Sequence, residues 1–249
     1  MINLLATLKF NIMAFGLKKG LRLPVYVYGK IRINRIGKIN INCPVRRRLI
    51  CIGVNNEIVN NAVTLWHNEG TIDFNGQVFL NYGIRMLNKG HIVFGGNNII
   101  GTLVSFDIND RLEVGYNSNI GIASNILDSN HHFTINMDNR HVARRTGCIR
   151  IGNYNWIGSN TFIKKGCITP DYIIVASPNA LLAKDYSNAE PYSVLGGAPA
   201  KPIGNLRIRR IYDFHIEREI QKFFDEHPEA EFYTVPENTD LDEYCKLKV

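Results

Sequence analysis

Two adjacent histidines follow an aspartate closely in the middle of the chain. Asp128 is followed, three and four residues later, by His131 and His132. A histidine titrates near neutral pH and can take a proton from a reacting group as a general base, which contributes about 10²–10⁴-fold to a rate. A nearby carboxylate can orient the imidazole. The structural alternatives are a core histidine bonded to backbone carbonyls and a turn aspartate bonded to its own backbone.

The remaining metal-binding residue types do not indicate a metal site. The histidines are His67, His91, His131, His132, His141, His215 and His227. They do not form the close His-x₃₋₅-His spacing of a strong site. The five cysteines contain no Cys-x-x-Cys pair. We therefore expect no metal and no disulfide framework, which favours a reducing cytoplasm.

Aliphatic residues recur every six positions along most of the chain. The clearest series is Ile151, Ile157, Ile163, Thr169, Val175 and Leu181. Shorter series are Val114, Ile120 and Ile126, and Phe94, Ile100 and Phe106. A helix would place apolar residues three and four apart, and a half-buried strand would alternate, so neither explains a period of six.

A six-residue period is typical of a parallel β-solenoid, in which each hexapeptide forms one short strand and a turn. Each inward aliphatic side chain contributes roughly 1.5–3 kcal/mol. The alternative is an ordinary β-sandwich with chance spacing. His132 falls at the next six-residue position after Ile126, so we expect its side chain in the inward column. The six-residue spacing of aliphatic residues is absent from Phe133 to Cys148. This absence predicts a loop that leaves the solenoid next to the two histidines.

Both ends of the chain predict helices. Residues 1–23 show an amphipathic pattern at Leu5, Leu8, Ile12 and Phe15, and residues 205–249 form a helical tail. The β-solenoid then occupies residues 24–204. The N-terminal helix either caps the first coil or lies on a membrane surface, and we favour the cap.

Positive charge is concentrated at the start of the 249-residue chain. The net charge is +7, and residues 1–50 hold eleven of the 29 basic residues and no acidic residue. Such a block suits an anionic lipid, a phosphorylated substrate or plain solvation. No nucleic-acid-binding motif accompanies it, so we expect no nucleic-acid partner. No spanning segment or signal peptide is evident, so we expect a cytoplasmic protein, with contact at the inner face of the membrane left open.

The segment Ile149–Gly204 resembles the C-terminal coils of hexapeptide-repeat acyltransferases, in the branch of polysaccharide and xenobiotic O-acetyltransferases. The matching motifs are NWIGSN, LLAKD and PYSVLGGAPAKPI, and ILDSNHHF resembles the family's catalytic-histidine segment. The resemblance implies an all-β, left-handed parallel β-helix that forms a homotrimer. Its active sites would lie between subunits, with acetyl-CoA as acyl donor and a carbohydrate as acceptor.

The same resemblance implies the residues of the site. The family's histidine stands four residues after the aspartate, which selects His132 as general base with Asp128 as its orienting group. The residues implied for acetyl-CoA by these motifs are Trp156, Gly158, Ser177 and Asn179, with simple packing as the alternative role of Trp156. Because CoA is polyanionic, Lys184 and Lys201 are candidate phosphate partners, with solvated surface charge as the alternative, and Pro199 is a candidate to flank the adenine. The chain departs from the family at Asn130, where aspartate is common, and at Pro178 and Asn179, where the corner is usually small and glycine-rich.

We therefore predict an acetyl-CoA-dependent O-acetyltransferase that acts on a sugar hydroxyl, which the resemblance implies to be part of a bacterial surface polysaccharide precursor. N-acetylation of an amino sugar is the alternative within enzymes. Outside enzymes, the alternative is a non-catalytic solenoid that docks polysaccharide machinery to the membrane through its basic N-terminus.

Overall fold

A computed structural model describes residues 1–54 and 62–246 of the chain. It divides into two compact units, residues 1–207 and residues 208–249, which are described separately. No helix in the described ranges is long and apolar enough to cross a bilayer.

The first unit winds through three sheets, and its strands are numbered in chain order. The nine-stranded sheet contains β1 (Val25–Val27), β4 (Ile50–Val54), β7 (Val78–Asn81), β10 (Asn98–Ile100), β13 (Asn119–Ile120), β16 (Trp156–Ile157), β18 (Ile174–Val175), β20 (Ser193–Gly196) and β21 (Lys201–Arg207). The seven-stranded sheet contains β2 (Ile31–Arg35), β5 (Thr64–Asn68), β8 (Arg85–Asn88), β11 (Ser105–Ile108), β14 (Asn125–Leu127), β17 (Phe162–Lys164) and β19 (Leu181–Leu182). The five-stranded sheet contains β3 (Lys38–Ile41), β6 (Thr71–Phe74), β9 (His91–Phe94), β12 (Arg111–Val114) and β15 (Ile149–Ile151).

Successive coils stack in parallel register. Ile120 pairs with Ile157, which pairs with Val175, and Ile126 pairs with Ile163. These five side chains are buried, so the six-residue column of the sequence is the core of the solenoid. The predicted parallel β-helix is confirmed. Its one antiparallel pairing among the described strands joins β20 to β21 at the C-terminal end.

The polar member of the column has its hydrogen bonds inside the protein. Thr169 is buried, and its hydroxyl accepts from the backbone N–H of Gly152 at 3.1 Å and from the Asn155 amide at 2.6 Å. A buried hydroxyl without partners would be costly. Thr169 can therefore occupy an inward position of the six-residue column without leaving an unsatisfied polar group in the core.

Helix α1 (Leu4–Gly20) closes the N-terminal end of the solenoid. Phe10 is buried and its ring meets Trp66 edge-on at a centroid distance of 5.1 Å. The Asn11 side chain accepts from the backbone N–H of Val25 and donates to its carbonyl, and the Thr7 hydroxyl accepts from the N–H of Val27. The helix thus satisfies the backbone of β1, which is the open edge of its sheet.

The face of α1 that covers the solenoid is not the predicted apolar stripe. Leu5 and Leu8 are exposed, whereas Ile12 and Phe15 are half-buried. The edge strand offers unpaired N–H and C=O groups, so the packing face needs hydrogen-bonding side chains as well as Phe10. The helix caps the solenoid through this mixed face and Phe15, whereas Leu5 and Leu8 of the predicted stripe point away from the core.

The second unit contains α2 (Phe214–Glu226) and α3 (Leu241–Cys245). The Asp213 carboxylate caps α2 by accepting from the backbone N–H of His215 at 2.8 Å, and Ile216 is buried. Helix α2 ends at Glu226, before Pro228. The final residues 247–249 of the predicted tail lie outside the described residues.

Candidate active site

The regular coil breaks after β14, and the chain leaves the solenoid as an exposed excursion before β15. The side chains from Asn130 to Arg145 are all exposed. Two antiparallel bridges, Ser129 to Thr146 and Ile135 to Val142, hold the two arms of the excursion together. The segment that sequence spacing marks as irregular is therefore an arm projecting from the corner between the seven- and five-stranded sheets.

A tight turn begins this arm and carries both histidines. The backbone N–H of His132 donates to the carbonyl of Asn130 at 2.7 Å, which closes a three-residue γ-turn around His131. His131 has a φ of 59°, a left-handed conformation that is uncommon for a bulky residue. Such strained conformations persist where surrounding contacts enforce them, and they cluster at active sites.

Asp128, which lies two residues before this turn, binds backbone amides of the preceding coil rather than an imidazole. It is buried, and its two carboxylate oxygens accept from the backbone N–H groups of Asn109 at 2.8 Å and Asp110 at 2.7 Å. Burial raises the pKa of the carboxyl group, and the two backbone hydrogen bonds oppose that shift. The predicted orienting carboxylate therefore hydrogen-bonds the backbone of the preceding coil rather than an imidazole.

The carboxylate that does meet a histidine is Asp107. Its Oδ2 lies 3.0 Å from Nε2 of His131, and its Oδ1 accepts from the Asn109 side-chain amide at 3.0 Å. The guanidinium of Arg145 donates to the His131 carbonyl at 3.2 Å. The sequence did not indicate Asp107 as a site residue. The available signal was register, because Asp107 pairs with Leu127, which directly precedes Asp128.

His132 does not occupy the inward column, so that expectation is wrong. Its side chain is exposed, because the turn around His131 lifts the chain off the coil before the inward position is reached. Within residues 1–54 and 62–246, no hydrogen bond or ion pair holds its imidazole. His132 is thus presented outward beside a neighbour that is anchored.

A cavity of about 300 Å³ opens next to the turn. Its lining includes His67, Leu87, Lys89, Asp107, Asn109 and His131. These side chains offer hydrogen-bond donors and acceptors with one cationic group, a set that can bind hydroxyl-rich ligands.

The residues implied for acetyl-CoA gather mainly at another corner, where the nine-stranded sheet passes into the seven-stranded sheet. Ser177 and Asn179 lie in the turn between β18 and β19, Pro199 lies in the turn between β20 and β21, and Lys201 is the first residue of β21; all four are exposed. Trp156 is 43% exposed on the outer face of β16, in register with Ile174.

Gly158 and Lys184, which were also implied for acetyl-CoA, do not share this exposed corner. Gly158 is buried; its N–H donates to the Val175 carbonyl at 2.9 Å, and a Cβ there would lie 2.6 Å from that oxygen. Its lack of a side chain thus admits the next coil, and its amide is not open to a ligand. Lys184 follows the far end of β19, with its ammonium 5.3 Å from the centre of the Tyr186 ring.

The two groups of residues lie at opposite edges of the seven-stranded sheet. His132 follows the end of β14, whereas Ser177 and Asn179 precede the start of β19, two coils further along. Each strand is about 10 Å long at ~3.3 Å per residue, and two coils add about 10 Å. One chain therefore presents His132 and the corner of Ser177 and Asn179 on separate sides of its solenoid.

No three His, Cys, Asp or Glu side chains in the described parts of the chain converge as metal ligands. The cysteines Cys43, Cys51, Cys148, Cys167 and Cys245 are free, and burial raises the pKa of the Cys167 thiol to about 12.

Comparison with known proteins gives matches among solved structures. No family profile and no curated protein matches the chain. The polySia-specific acetyltransferase NeuO aligns at 15% identity with a TM-score of 0.47, covering 87% of this chain and 91% of NeuO. The polysialic acid O-acetyltransferase OatWY aligns at 18% identity with a TM-score of 0.38, covering 78% and 95%. AntD, an N-acyltransferase from Bacillus cereus, aligns at 13% identity with a TM-score of 0.38, covering 83% and 89%.

Proposed function

We propose that this protein transfers an acetyl group from acetyl-CoA to a hydroxyl group of a sugar, with His132 as the general base. The observation that carries the proposal is the outward presentation of His132 on a strained turn that Asp107 and Arg145 hold through His131. Asp128, just before the turn, is itself tied to the backbone of the preceding coil. An accessible imidazole on an anchored turn, next to a cavity that the adjacent His131 lines, suits general-base catalysis.

The reaction proceeds by direct transfer. The imidazole of His132 takes the proton of the acceptor hydroxyl while the hydroxyl oxygen attacks the thioester carbonyl carbon. The carbon–sulfur bond of the tetrahedral intermediate then breaks, and the imidazolium returns the proton to the departing thiolate. No covalent acyl-enzyme forms. Asp128 acts as a positioning residue in this scheme, because its carboxylate holds backbone rather than substrate.

The cavity beside His131 supports a carbohydrate acceptor. Its lining combines Asp107, Asn109 and His67 with the ammonium of Lys89. Carboxylates, amides and imidazoles bind sugar hydroxyls, and a lysine suits an acceptor that carries a carboxylate or phosphate. An acceptor drawn from a surface polysaccharide precursor is consistent with this chemistry.

The corner of Ser177, Asn179, Pro199 and Lys201, with Trp156, supports binding of acetyl-CoA. Its side chains are small apart from Trp156 and Lys201, so a long ligand can lie against the coils, and Lys201 can contact a CoA phosphate. We leave Gly158 and Lys184 outside this binding surface because of the contacts described above.

We propose that the complete site forms between copies of the chain in a left-handed, homotrimeric β-helix. Two observations support this assembly. The base and the acetyl-CoA corner lie at opposite edges of one chain, and a head-to-tail ring joins one edge to the other edge of the next copy. In addition, exposed apolar side chains line the corner between the nine- and seven-stranded sheets: Ile99, Leu103, Ile122, Trp156 and Phe162.

The outer face of the five-stranded sheet is polar, unlike the apolar corner between the nine- and seven-stranded sheets. It carries a hydrogen bond between Asp73 and His91 and ion pairs of Glu113 with Arg111 and Arg150. Such a face suits water, whereas the apolar corner suits another copy. Placement in the cytoplasm belongs to the same proposal, because acetyl-CoA is a cytoplasmic metabolite.

The experiment measures thiol release from acetyl-CoA by the full chain with a panel of neutral, carboxylated and amino sugars. We expect acceptor-dependent release and a product that loses its acetyl group in mild alkali, because esters hydrolyse and amides persist. An alkali-stable product would assign N-acetylation instead. Absence of acetyl-CoA binding by calorimetry would favour the non-catalytic solenoid.

A further inference from the structure

The N-terminal helix exposes an apolar surface that its capping role does not use. Leu4 and Leu5 are 76% and 79% exposed, and Leu8 lies beside them. The side of the helix that packs on the solenoid carries Phe10 and Asn11. Three exposed leucines within five residues form a contiguous patch, here called the leucine patch, and such patches mark interaction sites.

The apolar surface continues past a break in the helix. Gly16 has a φ of 71°, which redirects the last turn of α1. Leu17 and Leu21, just beyond it, are exposed next to Lys18, Lys19 and Arg22. Apolar and basic side chains thus alternate over the outer surface of residues 17–22.

The three basic residues also line a cavity between the helix and the first coils. This cavity has a volume of about 530 Å³, and Phe15, Ile39 and Val45 line its apolar part. Among the residues that the structure describes, Lys18, Lys19 and Arg22 make no ion pair. A cavity with three cationic groups and apolar walls has the chemistry to receive a phosphate attached to hydrocarbon.

Charge over the wider region has one sign. The first 50 residues hold eleven basic residues and no acidic one. A surface that repels cationic partners and exposes leucines matches an anionic lipid leaflet, where phosphates neutralise the basic groups and apolar side chains enter the acyl boundary. A second copy of the same basic helix would bring like charges together, which opposes association.

We propose that α1 docks the solenoid on an anionic membrane surface, with the leucine patch inserted among the headgroups and the cluster of Lys18, Lys19 and Arg22 bound to lipid phosphates. This inference stands apart from the proposed transferase activity, since it uses none of the residues of the candidate site.

The test is cosedimentation of the full chain with vesicles of phosphatidylcholine alone and of phosphatidylcholine with about one third phosphatidylglycerol. We expect binding to the anionic vesicles only, weakened by salt. L5E/L8E and K18E/K19E should each lower the apparent partition coefficient by roughly tenfold or more. F232E, which changes an exposed apolar residue of the second unit, is the matched control and should bind as the unaltered chain does.

Equal binding to neutral and anionic vesicles, or no binding to either, would overturn the proposal. Unchanged vesicle binding by L5E/L8E would also overturn it. A smaller oligomer of L5E/L8E by light scattering in the absence of lipid would overturn it as well, because the patch would then be a contact between copies. Turnover of a soluble acceptor is measured in parallel and should be unchanged in L5E/L8E, so failure of docking is distinguishable from failure of the transferase proposal.

Discussion

Nε2 of His131 lies 3.0 Å from Oδ2 of Asp107, and this contact ties the turn that carries His132 to the preceding coil. Asp107 lies on β11, whereas both histidines stand beyond the end of β14. The contact therefore joins two coils across the outside of the solenoid. Its effect on chemistry is indirect, because the anchored imidazole belongs to the neighbour of the proposed base.

Removing the imidazole of His132 tests its assignment. We expect His132→Ala to lower kcat by about 10²-fold or more, because the acceptor hydroxyl loses its general base. Binding of acetyl-CoA, measured by calorimetry, should remain. His131→Asn keeps a polar group at the turn and should retain more activity. If instead His131→Asn abolishes turnover while His132→Ala does not, the base is His131 paired with Asp107.

Asp107→Asn tests the anchor while preserving side-chain shape. An amide makes a weaker hydrogen bond to imidazole than a carboxylate does, and misplacement of a base is costly. We expect kcat to fall by about tenfold with KM for acetyl-CoA unchanged. Asp73→Asn is the matched control, because it weakens the 2.8 Å contact with His91 on the five-stranded sheet. Equal losses in the two variants would indicate a general structural effect.

Mixed oligomers test whether the site lies between copies. His132→Ala removes the proposed base, and Ser177→Trp fills the acetyl-CoA corner at the opposite edge. In trimers assembled from equal amounts of both inactive variants, about one site in four combines an intact base with an intact corner from the next copy. Activity near a quarter of the unaltered protein is therefore expected. Mixtures without any activity would place the complete site within one chain.

The two lysines implied for acetyl-CoA should differ. Lys201→Ala is expected to raise KM for acetyl-CoA about fivefold, because Lys201 shares the corner with Pro199 and can contact a phosphate. Lys184→Ala should leave KM unchanged, since the Lys184 ammonium lies over the Tyr186 ring at the far end of β19. Initial rates at several acetyl-CoA concentrations measure both. A larger increase in KM for Lys184→Ala than for Lys201→Ala would instead place the CoA phosphates near Lys184, at the far end of β19.

Asp128→Asn should destabilise the fold. An amide provides one acceptor oxygen where the carboxylate provides two, so one of the N–H groups of Asn109 and Asp110 loses its partner, at a cost of about 1–3 kcal/mol. We expect a lower Tm by calorimetry. An unchanged Tm would contradict the role of Asp128 in holding the backbone.

The stability difference should also depend on pH. Burial raises the pKa of Asp128 in the folded protein above its ordinary value of ~3.9. The stability due to this shift is complete below that ordinary value and is lost as the pH rises through the folded-state pKa. The Tm difference between the unaltered chain and Asp128→Asn should therefore be larger at pH 4 than at pH 7.

The six-residue spacing was sufficient to predict the solenoid, because each inward position belongs to a local strand and turn. Ile157 stacks on Ile120 since both follow the same local rule. The same rule predicted a break at Phe133, whereas in the structure the chain leaves the coil earlier, at the turn of Asn130 to His132, so His132 is not in the inward column. The six-residue period predicts which side chains point inward, and the end of the period predicts that the chain leaves the solenoid.

Only the tertiary structure decided which groups meet. Asp107 reaches His131, and Asp128 reaches the amides of Asn109 and Asp110, through contacts between coils about twenty residues apart in sequence. Likewise, α1 packs through Thr7, Phe10 and Asn11 because the edge of β1 needs hydrogen-bond partners, a demand that no helical pattern reveals. Side-chain type and local spacing set the architecture, whereas partners across coils depend on the three-dimensional register that stacking creates.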